Sequence, residues 1–414
     1  MTISPARALP FGKEWRTPAV ILAFGCLISL ISFGPRSSLG FFLTLQSQAN
    51  GWGRDVFGLA LALQNILWGL AQPLAGMLAD RFGIVRVLCA GAVLYALGLA
   101  SMAHATTPLM LNISAGVLIG FGLAGCSFGI VLSAFGKLLP ERWRALGFGC
   151  GTAAGSFGQF LYAPLTVSLI DAVGWQETLV CFGLVMLMVL PLSLALATDD
   201  SSHGVRQPVS QQSLAQALAE AFGHRSYALL VLGYFTCGFQ LAFITVHLPA
   251  YLVDRGLSTE IGGWTIAVIG LFNIVGSLSS GWLSNWMPKR YLLAAIYFCR
   301  ALAVLAFISF PITALSSLMF GAVMGLLWLS TIPPTNGIIA VMFGTRWFAT
   351  LTGFAFFSHQ VGGFLGVWLG GLAFERTGSY DIVWWLAILF GLLSAIINLP
   401  IVEKPIPRLS AVRV

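Results

Sequence analysis

Few ionisable side chains of this chain fall inside its apolar stretches, and those few are the ones placed to do chemistry. Arg36 stands in FGPRSSLGFF (33–42), within an apolar run over 18–46. His247 lies in a run over 227–253, Arg300 in 291–311 and His359 in 347–374. An ionisable residue at the centre of a bilayer costs about 2.5–3.5 kcal/mol on insertion scales and as a rule faces a partner or a cavity. All fourteen Asp and Glu residues map to loops or to the ends of apolar runs, so none is placed to neutralise Arg36. A guanidinium without an internal acid, facing a water-filled cavity, suits an anionic substrate, because it grips a carboxylate through two parallel hydrogen bonds. Pro35 loosens the backbone beside it by removing an N–H donor. The competing expectation is an arginine that snorkels to the outer headgroups, which the length of the first run permits.

The histidines carry the other chemistry. His247 shares a helical face with Gln240, Phe243 and Tyr251, while His359 falls near the middle of its run. Imidazole titrates near neutrality, so either could carry a proton or bond a carboxylate; either could also be a neutral packing residue. Further polar candidates are Gln64 and Asn65 (second run), Gln159 and Tyr162 (fifth), Asn273 (eighth) and Asn336 (tenth). These are substrate contacts or interhelical glue. A sodium site would need oxygen ligands that the chain lacks in acid form, which leaves proton symport, with His247 and His359 as coupling candidates, or anion exchange. Cysteines 26, 89, 126, 150, 181, 237 and 299 lie within apolar runs without a C-x-x-C pair, and read as buried small hydrophobes. Gly149-x-Gly151 follows no strand, and no P-loop, metal-ligand spacing or nucleophile–base pair is present. No cofactor, metal or enzymatic activity is expected.

The elements that position these residues follow from composition. The 414 residues are 58% hydrophobic and 8% charged, against roughly 25% charged in an ordinary soluble domain. Only a bilayer suits such a surface, which excludes a secreted disulfide scaffold, a nucleic-acid binder and a soluble enzyme. Twelve apolar segments are expected near 18–46, 56–79, 84–104, 108–136, 145–170, 176–197, 227–253, 260–286, 291–311, 313–342, 347–374 and 382–402. Of the 21 Lys and Arg residues, sixteen fall in the amino end, every second loop and the carboxyl end. The opposite loops hold Arg54, Arg255 and Arg376, and Arg36 and Arg300 fall inside segments. The positive-inside rule then puts both termini in the cytoplasm, so the net charge of +7 is a topology signal. The amino end shows no small-residue cleavage site, so a cleaved leader is not expected. Trp15, Trp52, Trp143, Trp175, Trp286 and Trp347 sit at segment ends as interfacial residues against membrane lipids; Trp328 and Trp368 lie deeper, as cavity walls.

The polar stretch 199–225 divides the chain into an N-terminal six-helix bundle (1–198) and a C-terminal one (226–402), followed by a cytoplasmic tail (403–414). Ser210 to Phe222 could form a surface helix with Leu214, Leu218 and Phe222 on one side. GMLADRFGIVR (76–86) after the second segment is echoed by GWLSNWMPKR (281–290) after the eighth, and Gly58 and Gly263 recur at the same offset. A duplicated six-helix unit is expected. Glycines at 116, 120, 122, 125 and 129, and at 147, 149, 151, 155 and 158, allow helices to approach closely.

The loop Gly76, Leu78, Ala79, Asp80, Arg81, Gly83 and Arg86 resembles the loop 2–3 motif of the major facilitator superfamily. The resemblance implies an all-α polytopic protein of twelve transmembrane helices in two pseudo-symmetric bundles. It also implies that Asp80, Arg81 and Arg86 latch the cytoplasmic ends of the halves in the outward-open state. Asn285 stands where the second copy would repeat Asp80, which weakens any charged latch there. In the superfamily the ninth helix is peripheral, so Arg300 is expected to snorkel to the cytoplasmic face. Pro35–Arg36 and GKLLPERWRALGFGCGTAAGSFG (136–158) further resemble the monocarboxylate porter branch, with its bacterial members near the oxalate/formate exchangers. Two departures stand out: GKEWR (12–16) replaces the family's lead, and Asn273 and Ser277 stand where animal members carry an Asp and an Arg. The expectation is a monomeric secondary transporter in the cell membrane, bacterial inner membrane by economy of length, carrying a small organic anion, a monocarboxylate above all, with protons or by exchange. An exporter of drugs or neutral solutes is the alternative, and a transport-dead membrane sensor a remote one.

Overall fold

The structure, a computed structural model, describes residues 15–197, 212–344 and 347–407, apart from the Ala145 side chain. Helices make up almost all of it, and there is no strand among the described residues. The long helices are α1 (Pro18–Asn50), α2 (Arg54–Phe82), α3 (Ile84–Ala103), α4 (Pro108–Leu138), α5 (Glu141–Val173), α6 (Trp175–Leu196), α7 (Arg225–Asp254), α8 (Thr259–Leu283), α9 (Lys289–Ser309), α10 (Ala314–Phe343), α11 (Phe348–Thr377) and α12 (Asp381–Asn398). By length and composition, 11 of these can cross a membrane. The exception is α11, which has 30 residues, but whose glycines, Ser358, His359 and Gln360 lower its hydropathy.

Local chemistry sets the helix ends. Thr17 caps α1 at the Val20 N–H with Pro18 in the first turn, and Thr107 and Pro108 do the same for α4. Gly51 and Gly378 end α1 and α11 at φ 67°, a left-handed conformation that a side chain resists. A shorter linker helix, Leu214–Gly223, opens on a capping box between Ser213 and Gln216. Ala217 and Ala221 form its buried face, Leu218 packs beside them, Phe222 meets Tyr227 and Phe354, and Leu214 stays exposed. Ser210 and Gln211 lie outside the described residues.

Three helices are irregular at depth. In α1 a 3-10 turn at Leu39–Phe41 follows Pro35. The regular helix of α4 stops at Cys126 and restarts at Phe128, with Ser127 at φ −59° and ψ 151° between them. The α10 helix breaks after Leu327 and restarts at Ile332, just ahead of Pro333 and Pro334. Under the offset relating Gly58 to Gly263, Ser127 corresponds to Ile332, so the two breaks are equivalent. Irregular backbone at membrane depth persists only inside protein or along a cavity.

Each half has its own apolar core, one built mainly from α1–α6 and the other from α7–α12. The halves meet through α2 on α11 and α5 on α8. Gly58 lies on Val367 and Gly371, and Gly263 on Val167 and Ala163, so these two contacts are also repeat equivalents. Within the second half, α7 and α11 pack backbone to backbone: a Cβ on Gly362 would meet the Phe235 carbonyl, and one on Gly366 the Phe239 carbonyl. This stripe brings His359 and the α7 polar residues together.

Candidate functional site

Arg36 is only partly enclosed, and its surroundings are built by α1, α2 and α7. One Nη donates to Asn65 Oδ1 at 2.8 Å, while Asn65 Nδ2 donates to its own turn at Leu61. The guanidinium lies over the rings of Trp68 at 4.8 Å and Phe33 at 5.8 Å, a favourable face for a cation. Its Nε has no partner. Leu61, Gln64, Asn65, Ala242, Thr245 and Val246 line the narrow cavity beside it. That cavity of about 10 Å³ has the room of a single water. Gln64 is anchored to the Ala115 carbonyl of α4. Trp68 donates to Gln72, and Gln72 to Ser127 at the α4 break, so the ring beneath Arg36 is tied to the irregular backbone.

The other candidates spread over several helix contacts. Tyr162 is buried against Gly34 of α1 and the Phe182 ring. Gln159 is buried with neither amide atom bonded. Gln240 donates to the Ala387 carbonyl of α12, inside the second half. Asn273 joins Ser156 of α5 to the Leu329 N–H in the α10 break. Asn336 is partly exposed on α10. His247 is fully buried and its Nε2 lies 2.8 Å from the Val367 carbonyl. A carbonyl only accepts, so the proton is on Nε2 and Nδ1 is left unbonded. His359 bonds Gln360 at 3.1 Å and stacks on Phe356, whose other neighbour is Trp68. An aromatic bridge thus runs from Arg36 in the first half to His359 in the second.

The structure corrects two expectations: Cys181 and Cys299 are exposed on the outward faces of their helices rather than buried, and Arg300 has a different role from the one expected. Arg300 does not snorkel: it is 0% exposed and donates to the Leu327 and Trp328 carbonyls freed by the α10 break. Those carbonyls face inward, and a long flexible side chain follows the acceptors. Trp328 is accordingly buried in the second-half core, whereas Trp368 packs against the first. The sequence reading also passed over Trp68, Gln72 and Thr245. Gln64, Trp68 and Gln72 recur every fourth residue on one face of α2, and that period was the available signal.

At the Arg54 end the halves are latched. Arg54 holds both carboxylate oxygens of Asp254 on α7, at 2.5 and 2.7 Å, bonds the Tyr380 hydroxyl at 2.9 Å and lies 3.7 Å over the Phe374 ring. Burial pushes the Tyr380 phenol up to about 12, so it stays neutral there. Gly40 of α1 packs on the Thr245 and Val246 carbonyls on the same side. At the opposite end, among the described residues, the ion pairs of the loops stay within one half. Asp80 pairs with Lys137 of α4 at 2.6 Å, Arg81 lies over Phe82, and Arg86 bonds the Phe82 carbonyl. In the second copy of this loop Lys289 pairs with Glu403, and Arg290 bonds Glu403 and Ile401.

A family profile described as Major Facilitator Superfamily matches residues 25–367. The chain is 29% identical to an uncharacterized MFS-type transporter, YcxA, of Bacillus subtilis (strain 168), over 93% of this chain and 95% of that one. It is 28% identical to monocarboxylate transporter 11 of Mus musculus, over 92% and 86%. Among solved structures, a D-xylose-proton symporter matches with TM-score 0.71 at 17% identity, covering 95% of this chain and all of that one. A bacterial homolog of the human lysosomal transporter Spinster, inward-facing and occupied, matches with TM-score 0.74 at 15% identity, over 94% and 97%. At those identities the solved structures speak for the fold.

Proposed function

The chain belongs to the major facilitator superfamily, a multi-pass membrane transporter family, and on that premise we propose that it carries a small organic monocarboxylate by alternating access. The observation that carries this reading is Arg36: a partly exposed arginine with an unpartnered Nε, oriented by Asn65 and by the Trp68 face, while the chain's acids fall in loops or at helix ends. A carboxylate entering from this side would take two parallel N–H donors, and Gln64 and Thr245 border the same space. One such cation suits one carboxylate. The low-identity likeness to monocarboxylate transporter 11 supports the same class.

The charge count assigns the Asp80 end to the cytoplasm, with both termini. The Arg54–Asp254 latch then closes the outside, and the conformation faces inward. Asp80, Arg81 and Arg86 exchange their contacts within the first half for a clamp between the halves in the opposite state. The two bundles, 1–198 and 226–402, rock about the Arg36 site as a monomer in the lipid bilayer. Tyr162, Gln159, Gln240, Asn273, Asn336, His247 and His359 remain candidates for further substrate contact, and the two histidines for proton symport.

Thermal unfolding of the detergent-solubilised protein against monocarboxylates, dicarboxylates and neutral analogues tests the assignment. A ligand at a hundred times its Kd stabilises the folded state by about 2.7 kcal/mol. Monocarboxylates are expected to raise the unfolding temperature, and Arg36→Gln to remove the rise. Stabilisation by a monocarboxylate that survives Arg36→Gln, or stabilisation by neutral or cationic compounds alone, would overturn the reading.

A further inference from the structure

Arg255 follows the last residue of α7 and walls a cavity of about 280 Å³, against about 10 Å³ beside Arg36. Tyr251 of α7, Ile308 of α9 and residues 310–312 of the connection into α10 form the rest of the wall. The guanidinium lies 5.1 Å from the centre of the Tyr251 ring, which is buried and braced by Phe307. Its ion pair with Asp381 spans 3.8 Å, beyond hydrogen-bond distance, and both partners are exposed, so the pair contributes little. A guanidinium carries five donors in a fixed fork, which suits the oxygens of a phosphate better than one distant carboxylate oxygen. Basic residues are scarce at this end of the spans: its loops hold Arg54, Arg255 and Arg376, and Arg54 is committed to Asp254. Arg255 is therefore no part of the basic excess that sets topology. The cavity lies at the ends of α7, α9 and α10, the level of lipid headgroups when these helices cross a bilayer. Phe310 stands exposed at its wall, and exposed Leu315, Met319 and Val323 continue along one outer face of α10.

We propose that this cavity is a binding site for an anionic phospholipid, whose phosphate takes Arg255 and whose acyl chains run along Leu315, Met319 and Val323. Phosphate is the group an arginine fork grips through parallel charge-assisted hydrogen bonds. A zwitterionic headgroup carries the same phosphate but brings its own ammonium towards Arg255, so lipids with a net negative charge are preferred. A free inorganic anion would share the contact with Arg255 and gain nothing from the apolar face of α10, which favours the lipid. Asp381 competes for the same guanidinium, so its carboxylate weakens the preference. The site goes beyond the proposed function and stands whatever cargo binds at Arg36.

The full-length protein carrying the photoreactive p-benzoylphenylalanine at position 310 is reconstituted into vesicles of one part phosphatidylglycerol to three parts phosphatidylcholine and irradiated. Mass spectrometry then gives the ratio of the two lipids cross-linked at that position, where the basic loops at the other end of the spans do not contribute. Phosphatidylglycerol is expected at about fivefold its share of the bilayer, the effect of one basic contact at a lipid surface. Arg255→Gln should return it to the bulk ratio, Arg255→Lys should keep the enrichment, and Asp381→Asn should raise it. Cross-linking in the bulk ratio with Arg255 present, or an enrichment that survives Arg255→Gln, overturns the proposal. Should Arg255→Gln fold poorly, Asp381→Asn decides, and an enrichment that does not rise overturns it equally. Enrichment lost in inorganic phosphate but kept in sodium chloride of equal ionic strength would mark a site for small anions and overturn the lipid assignment.

Discussion

Removing the Arg54–Asp254 bond should let the chain open at the Arg54 end, and its size follows from the geometry. The pair is bidentate at 2.5 and 2.7 Å, with side-chain exposures of 14% for Arg54 and 30% for Asp254. A fully exposed pair would contribute about 0.2–1 kcal/mol. A hydrogen-bonded charge pair shielded to this degree belongs nearer roughly 1.5–3 kcal/mol, and the Phe374 ring holds Arg54 in place after its partner is gone. The bond exists only while the halves meet at this end, so its loss is paid entirely by the closed state. Since 1.4 kcal/mol is a factor of ten, Asp254→Asn should raise the ratio of open to closed molecules by about ten- to a hundredfold. Asn keeps the volume and one acceptor, so folding is spared. Spin labels on exposed Gln48 of α1 and exposed Thr259 of α8 span the two halves, with exposed Cys181 and Cys299 replaced by serine. Electron–electron distance measurements should show a longer component in Asp254→Asn and Arg54→Gln that is minor in wild type. Distance distributions that superimpose on wild type for both folded variants would refute the reasoning.

Two further outcomes follow from other parts of the molecule. Gly366→Val would drive a branched side chain into the Phe239 carbonyl where α7 and α11 touch; overpacking of this kind costs typically 1–3 kcal/mol, so the thermal unfolding temperature should fall, and an unchanged temperature would mean that the helices separate freely. Asp80→Asn removes an ion pair whose side chains are 41% and 68% exposed, so stability should change by less than about 1 kcal/mol while uptake into proteoliposomes falls sharply; wild-type uptake would remove Asp80 from the gate.

Much of this protein is legible along the chain because a bilayer makes each span an independent decision. In hydrocarbon every backbone N–H and C=O must be satisfied within its own segment, so a window of about 20 residues suffices to place a helix. That is why the expected segments coincide with α1 to α12, why the glycine offset reports the duplication, and why Arg36 stands out as a cation without an acid. The linker helix was visible for the same local reason, but the face it buries was not, because Phe354 of α11 decides where Phe222 rests.

What the spans do to one another was decided only in three dimensions. Arg54 and Asp254 are 200 residues apart, and no local pattern pairs them. Arg300 read as a snorkelling arginine because its helix looked peripheral; the break in α10, 27 residues further on, turns carbonyls inward and draws it into the core. His247 and His359 are equivalent in composition and opposite in setting, one bonded to a carbonyl and enclosed, the other stacked beside the Arg36 wall. Hydropathy records the free energy of moving one segment into lipid, a sum over that segment's own residues. Pairing energies depend on which side chains meet once the helices have packed, and that information is held jointly by residues far apart in the chain.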